Sequence, residues 1–410
     1  SMAVAEYSAF KPQVFGKIAE SLARLASCFE FVVIEGAGSI AEINLKSDDI
    51  ANLKVAELAD CPVILIADID RGGVFAQVIG TLELLEPDER ARIKGVIINK
   101  FRGDISLLKP GIDFIENRTG VPVLGVVPYF TDFHIPEEDS VALEKRLAEK
   151  RPKRKGDKIQ VGVIRFPRIS NYTDFDSLEA EPDLELHYIG KADEVEGLDL
   201  LILPGSKSTT SDLLFLAERG LSPAIREFTG PVMGICGGYQ MLGKRILDPH
   251  GIESAIEEVE GLALLDLETV MLPEKETHQV ECRLLPAGWL VAPGCTCTLS
   301  GYEIHMGRST LGPAADSFSR LLLRSGKEVE LADGAASKEG RVFGTYLHGI
   351  FDNDGFRSAF LNKIRRGKGL PEISPDFRRP DPFDQLAEHL ERHLDMEKLY
   401  HICGIEGIVE

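Results

Sequence analysis

No apolar run in this chain is long enough to cross a bilayer, and no signal-peptide pattern stands at its start. Basic residues are scarce: 46 Lys and Arg face 66 Asp and Glu, a formal net charge of −20. A chain so short of clustered cations lacks the means to neutralise the phosphates of a nucleic acid. Cysteine is sparse too, and seven residues without regular spacing make no disulfide framework. Cys295 and Cys297 are the one close pair, but a zinc site would need further ligands and none presents itself. No repeat of fixed period and no low-complexity segment is present. These absences argue against a membrane partner, a nucleic-acid partner and a secreted disulfide scaffold. They leave a cytoplasmic protein that handles small molecules as the expectation, with homo-oligomer formation left open.

What is present is a long, well-mixed chain: 410 residues, 44% hydrophobic and 27% charged, enough for two domains. Apolar, β-branched runs at Phe31 to Gly38, Cys61 to Asp70, Ile93 to Phe101 and Gly120 to Phe130 predict strands. They are continuous rather than alternating, as a parallel sheet covered on both faces requires. Amphipathic stretches at Phe75 to Leu85 and Leu107 to Asn117 supply the crossovers. A charge-dense segment then ends in a basic cluster and reads as a linker over residues 135–157. Further buried-type strands follow at Ile159 to Phe166, around Leu201, before Cys236 and before His348. The fold class is therefore α/β, with two doubly wound, mostly parallel-sheet domains at 1–134 and 158–366. A tail over 367–410 carries one amphipathic helix from Pro382 to Met396.

Chemistry concentrates in Val232 to Gly243, where Cys236 sits between a short strand and a helical pattern, flanked by Gly234, Gly237 and Gly238. Such a turn resembles a nucleophile elbow, in which glycines permit backbone angles and approaches that a Cβ forbids. A helix start favours the thiolate, the reactive form. His348, at the end of another apolar run, is the candidate proton-handling partner. Leu201 to Leu216 carries Gly205, Ser206, Lys207 and Ser208, which has a phosphate loop's Lys and Ser but not its spacing. Glu35, at a strand end followed by glycines, is suited to hold Mg²⁺.

Three segments, "GICGGYQMLG", "LPGSKST" and "YLHGIF", resemble in order the nucleophile, oxyanion and histidine motifs of class I glutamine amidotransferases. The resemblance implies glutamine hydrolysis through a thioester on Cys236, with His348 as acid and base. It also implies that N–H groups at Gly205 or Ser206, and at Gly237, face the oxyanion. Most class I members carry Glu two residues after the histidine; Ile350 stands there here, as in the corrinoid-amidating branch, and Asp352 or Asp354 is a candidate substitute. "EGAGSIAEINL", "DIDRGGVFAQVIGTL", "INKFRGD" and "YEIHMGRS" resemble the cobyric acid synthase family, whose first domain is dethiobiotin-synthetase-like.

That likeness implies ATP, Mg²⁺ and glutamine use to amidate the b, d, e and g carboxylates of adenosylcobyrinic acid a,c-diamide, the corrinoid substrate. Glu35 is carried over as the Mg²⁺ ligand, Asn99 as an adenine contact, and Asp70 and Arg71 as groups facing phosphate or substrate carboxylate. A forked guanidinium is apt for that role. Cobyrinic acid a,c-diamide synthase shares both domain types and remains an alternative, as does a non-enzymatic α/β scaffold that binds a partner. The family's Walker-type loop, G-x-x-x-x-G-K-[ST], occurs nowhere in the chain, and Ser1-Met2 reads as an engineered start. An amino-terminally truncated chain, keeping no more than the glutamine-hydrolysing half, is the resulting expectation.

Overall fold

The computed structural model describes residues 4–44, 46, 49–130, 157–286, 298–374 and 381–405. Cys295, Cys297, Ser1, Met2 and the expected linker up to residue 156 lie outside the described residues. The chain divides into two units, one of Ser1–Ile135 with Pro380–Glu410 and the other of Pro136–Arg379.

In the first unit, β1 (Val63–Asp68), β2 (Ile93–Phe101) and β3 (Val123–Pro128) form a parallel sheet in the order β1-β2-β3. The helices Val74–Leu84 and Ile105–Thr119 cross between them. Val74, Val78 and Leu82 recur at a four-residue interval and bury one helix face against Val96, Ile98 and Val126. Full burial of such side chains is worth about 1.5–3 kcal/mol each. The opposite sheet face, at Ile97, Leu124 and Val127, is covered by Leu390, Leu394, Leu399 and Ile402. Those four come from the tail, which forms two capped helices, Pro382–Glu391 and Met396–Cys403, rather than one. Asp395 N–H bonds Leu124 O at 2.7 Å. Only glycine fits at position 125, because a Cβ would stand 2.2 Å from His393 O.

Phe31 to Gly38 is not a strand: it joins no sheet, and Phe31 (49% exposed) and Val33 (83%) face solvent. Apolar, β-branched residues favour a strand only where a neighbouring strand supplies hydrogen-bond partners. Among the described residues none lies alongside. Its Gly36 turn is held instead by Asn52, which bonds Ala37 N and O through its side-chain amide.

The second unit has two sheets. The first contains β4 (Ile159–Ile164), β5 (Leu184–Ile189), β6 (Leu200–Leu203), β7 (Val232–Ile235) and β16 (Val342–Thr345). These run parallel in the order β16-β7-β6-β4-β5, with β15 (Ala335–Ser337) and β12 (Ala315–Asp316) antiparallel at one edge. Every residue of β4, β6, β7 and β16 is buried. The second, largely antiparallel sheet is built on β10 (Leu267–Leu284) and β11 (Thr298–Leu311). It continues to β13 (Ser319–Arg324) and β14 (Lys327–Asp333) on one side and β17 (Leu347–His348) on the other, with β8 (Arg245–Leu247) paired to β10 and β9 (Glu258–Glu260) to β8. The expected parallel α/β sheet is thus joined by an antiparallel one that apolar runs alone do not reveal.

Candidate active site

Cys236 follows β7 directly and adopts φ 50°, ψ −109°, a left-handed strain that only a tightly held turn sustains. Its N–H bonds Thr345 O at 2.9 Å, tying it to β16. The helix Gly237–Met241 starts immediately after it. The flanking glycines are steric necessities: a Cβ at Gly238 would come within 2.0 Å of Leu203 O. The thiol donates to Ile304 O at 3.4 Å, so β11 forms one wall of the site.

His348 is fully buried at the end of β17, and its Nδ1 lies 2.7 Å from Asp174 Oδ2. The other carboxylate oxygen accepts the Gly349 N–H at 2.9 Å. Asp174 stands on a short 3-10 turn after β4, beside the left-handed residue Asn171. Neither Asp352, bonded to Ser177, nor Asp354, paired with Arg357, touches His348 among the described residues. With Nδ1 bound to Asp174, Nε2 is the free ring nitrogen, and it is buried without a hydrogen-bond partner. Burial opposes a charge on this ring, but the Asp174 hydrogen bond and the attraction of Asp174 and Cys236 outweigh it and raise its pKa to about 10. An imidazolium near a thiol is the kind of neighbour that favours a thiolate.

The "YEIHMGRS" segment lies along β11 and supports this pair. Tyr302 pairs with His348 across the sheet and stacks on its ring, centroids 5.1 Å apart. Asn171 Nδ2 donates to Tyr302 Oη at 2.8 Å. Next in the chain, Glu303 is buried and bonded to Arg324 and His305; burial resists its ionisation, but those partners prevail and lower its pKa. His305 stacks on Tyr346, whose hydroxyl pairs with Ser309.

Gly205 and Ser206 follow β6 and lie against the same centre. A Cβ at Gly205 would be 3.3 Å from His348 Cε1, and one at Gly237 would be 3.0 Å from Ser206 N. No acceptor among the described residues meets the N–H of Ser206 or of Gly237. Ser206 Oγ donates to Asp212 at 2.6 Å, which fixes the loop. A buried nucleophile, a histidine with an orienting carboxylate, and two unmatched amides thus converge at the carboxyl edge of one sheet.

The first unit gathers Asp70, Arg71 and Asn99 at the carboxyl ends of β1 and β2. Asp68, the first residue of the "DIDRGG" segment but given no role from sequence, lies among them, bonded to Lys100 at 2.8 Å and 4.0 Å from Arg71. The Lys100 hydrogen bond leads the effects that lower the Asp68 pKa. Arg102 pairs with Asp70 at 3.0 Å and lies over the Tyr129 ring. Asn99 is not free: its side-chain oxygen accepts the Lys100 N–H at 2.8 Å. Glu35 is exposed and joins no contact with this cluster among the described residues, which hold no group of three metal-ligating side chains. These residues do not build an all-protein magnesium cage; single carboxylates fit a Mg²⁺ that keeps water and phosphate as its other ligands.

Residues 160–356 match the CobB/CobQ-like glutamine amidotransferase domain, and residues 11–136 match an AAA domain. By site and by match, this is an enzyme of the glutamine amidotransferase class. The chain is 47% identical to a cobyric acid synthase of Syntrophobacter fumaroxidans over 98% of its own length and 79% of that protein. The cobyric acid synthase of Moorella thermoacetica is also 47% identical, over 97% of this chain and 77% of its own. The chain belongs to the cobyric acid synthase family.

Proposed function

We propose that this enzyme amidates the peripheral b, d, e and g carboxylates of adenosylcobyrinic acid a,c-diamide, with ammonia released from glutamine at Cys236. The observation that carries the reading is the Asp174–His348 pair beside Cys236, at 2.7 Å and buried, in a chain of this family. The Cys236 thiolate attacks the glutamine carboxamide, and the oxyanion that forms faces the N–H groups of Ser206 and Gly237. His348 gives its proton to the departing ammonia, leaving a γ-glutamyl thioester and a neutral imidazole that Asp174 keeps in the correct tautomer. The imidazole then takes a proton from water, hydroxide attacks the thioester, and the returned thiolate closes the cycle with glutamate released.

At the first unit, ATP would phosphorylate the corrinoid carboxylate, and the acyl phosphate would yield to ammonia. Arg71 and Lys100 would receive phosphate or carboxylate and Asn99 would offer its amide; the Asp68 and Asp70 ion pairs at the same strand ends support this reading. A bound Mg²⁺, for which Glu35 or Asp68 is the carboxylate at hand, would screen phosphate charge. The test is Cys236→Ala in the full-length protein, which should lose amidation with glutamine and keep it with ammonium salts. Loss of both would sink the division of labour between the units.

A further inference from the structure

Beyond the reacting centres, the second unit holds a cavity of about 360 Å³ lined by Arg165, Pro167, Gly190, Lys191, Glu194, Phe215 and Arg219. Its floor is set by topology. β4 lies between β6 and the edge strand β5, and Arg165 and Gly190 stand just past the carboxyl ends of β4 and β5. Crevices at such carboxyl ends are where open α/β sheets take up ligands. Arg165 immediately follows β4, with its N–H bonded to Ile189 O at 2.8 Å. A Cβ at Gly190 would be 3.9 Å from Arg165 Nε, so this glycine lies beneath the guanidinium. Arg219 caps the helix Thr209–Glu218 and stands 5.5 Å from the centre of the Phe215 ring.

The three cations have no ion-pair partner among the described residues, in a chain that carries a net charge of −20. The lining also holds one carboxylate, Glu194, whose Oε2 accepts the N–H groups of Gly190 at 2.7 Å and Lys191 at 3.1 Å. Two guanidinium forks and an ammonium around an aromatic wall make a polyanion receptor. Guanidinium matches phosphate and carboxylate oxygens in pairs. None of the lining residues bonds to Cys236, His348 or Asp174.

We propose that this cavity binds a small polyanion bearing phosphate or carboxylate groups, separately from the glutamine site. The test is calorimetric titration of the whole chain with inorganic pyrophosphate and, separately, tricarballylate, at fixed ionic strength. Saturable binding to one site per chain is expected, weakened at least about tenfold by Arg165→Gln and by Arg219→Gln. Both side chains are exposed, so the unfolding midpoint without ligand should stay in place and separate lost binding from lost fold. Pyrophosphate binding alone would assign a phosphate-bearing ligand; tricarballylate alone would assign a polycarboxylate; either supports the site. Absence of binding by both anions, or binding unmoved by either substitution, would overturn it.

Discussion

Asp174 is the residue on which the site's chemistry turns. Its carboxylate fixes the His348 tautomer and holds the following peptide through Gly349. Asp174→Asn should lower the glutaminase kcat by about 10²–10⁴, since a misoriented histidine is a poor base. A kcat within a few-fold of the parent would remove Asp174 from the role. The same pair makes a pH prediction. The pKa of His348 is raised from 6.5 to about 10 on folding, so its contribution to stability is fully present below 6.5 and lost as pH rises through about 10. The stability gap between the parent and His348→Gln in urea titrations should therefore narrow between those limits; a gap that widens with pH would contradict the ion pair. At Gly237 a methyl group would stand 3.0 Å from Ser206 N and cover that amide. Gly237→Ala should reduce kcat by about 10²–10³, the loss typical of one oxyanion donor, with the KM for glutamine little changed.

Elements differ in how plainly the sequence announces them. β4, β6, β7 and β16 are buried throughout, so apart from Gln160 and Thr345 their composition is apolar and legible. The elbow is legible because its glycines answer to hard steric limits. β10 escapes such reading: buried and open residues alternate along it, and Glu274, Lys275 and Glu276 interrupt its middle. That is how a strand with one solvated face is written. Phe31 to Gly38 errs in the opposite sense, because local composition cannot say whether a neighbouring strand exists. Asp174 was hidden for a third reason: in "NYTDFDSLE" nothing of type or spacing separates it from Asp176. Only the return of the chain at His348 distinguishes the two. The tail helices raise a prediction of their own. Gly125→Val would push a side chain into His393 O, and overpacking of this kind costs about 1–3 kcal/mol. Proteolysis should then release the segment after residue 380, while glutaminase kcat stays at the parent value.

At the scale of the whole molecule, Cys236, His348, Asp174 and the oxyanion loop all fall inside Pro136–Arg379. That fragment, expressed alone, should fold cooperatively and hydrolyse glutamine at a rate comparable to the intact chain. A fragment that folds but is inert would show that the glutaminase depends on the remainder. Within the unit, the reading from sequence located the nucleophile and its histidine but not the antiparallel sheet that carries the histidine, because β17 owes its place to pairing with β11 rather than to its own two residues. This long return of the chain has a consequence for biosynthesis. During translation the thiol emerges more than a hundred residues before its histidine. The ribosome-bound chain therefore carries a cysteine without its histidine, and glutamine is spared until β17 has paired with Tyr302 and Glu303 of β11. Catalytic competence in this protein thus waits on a strand far downstream of the nucleophile rather than on the synthesis of the nucleophile itself.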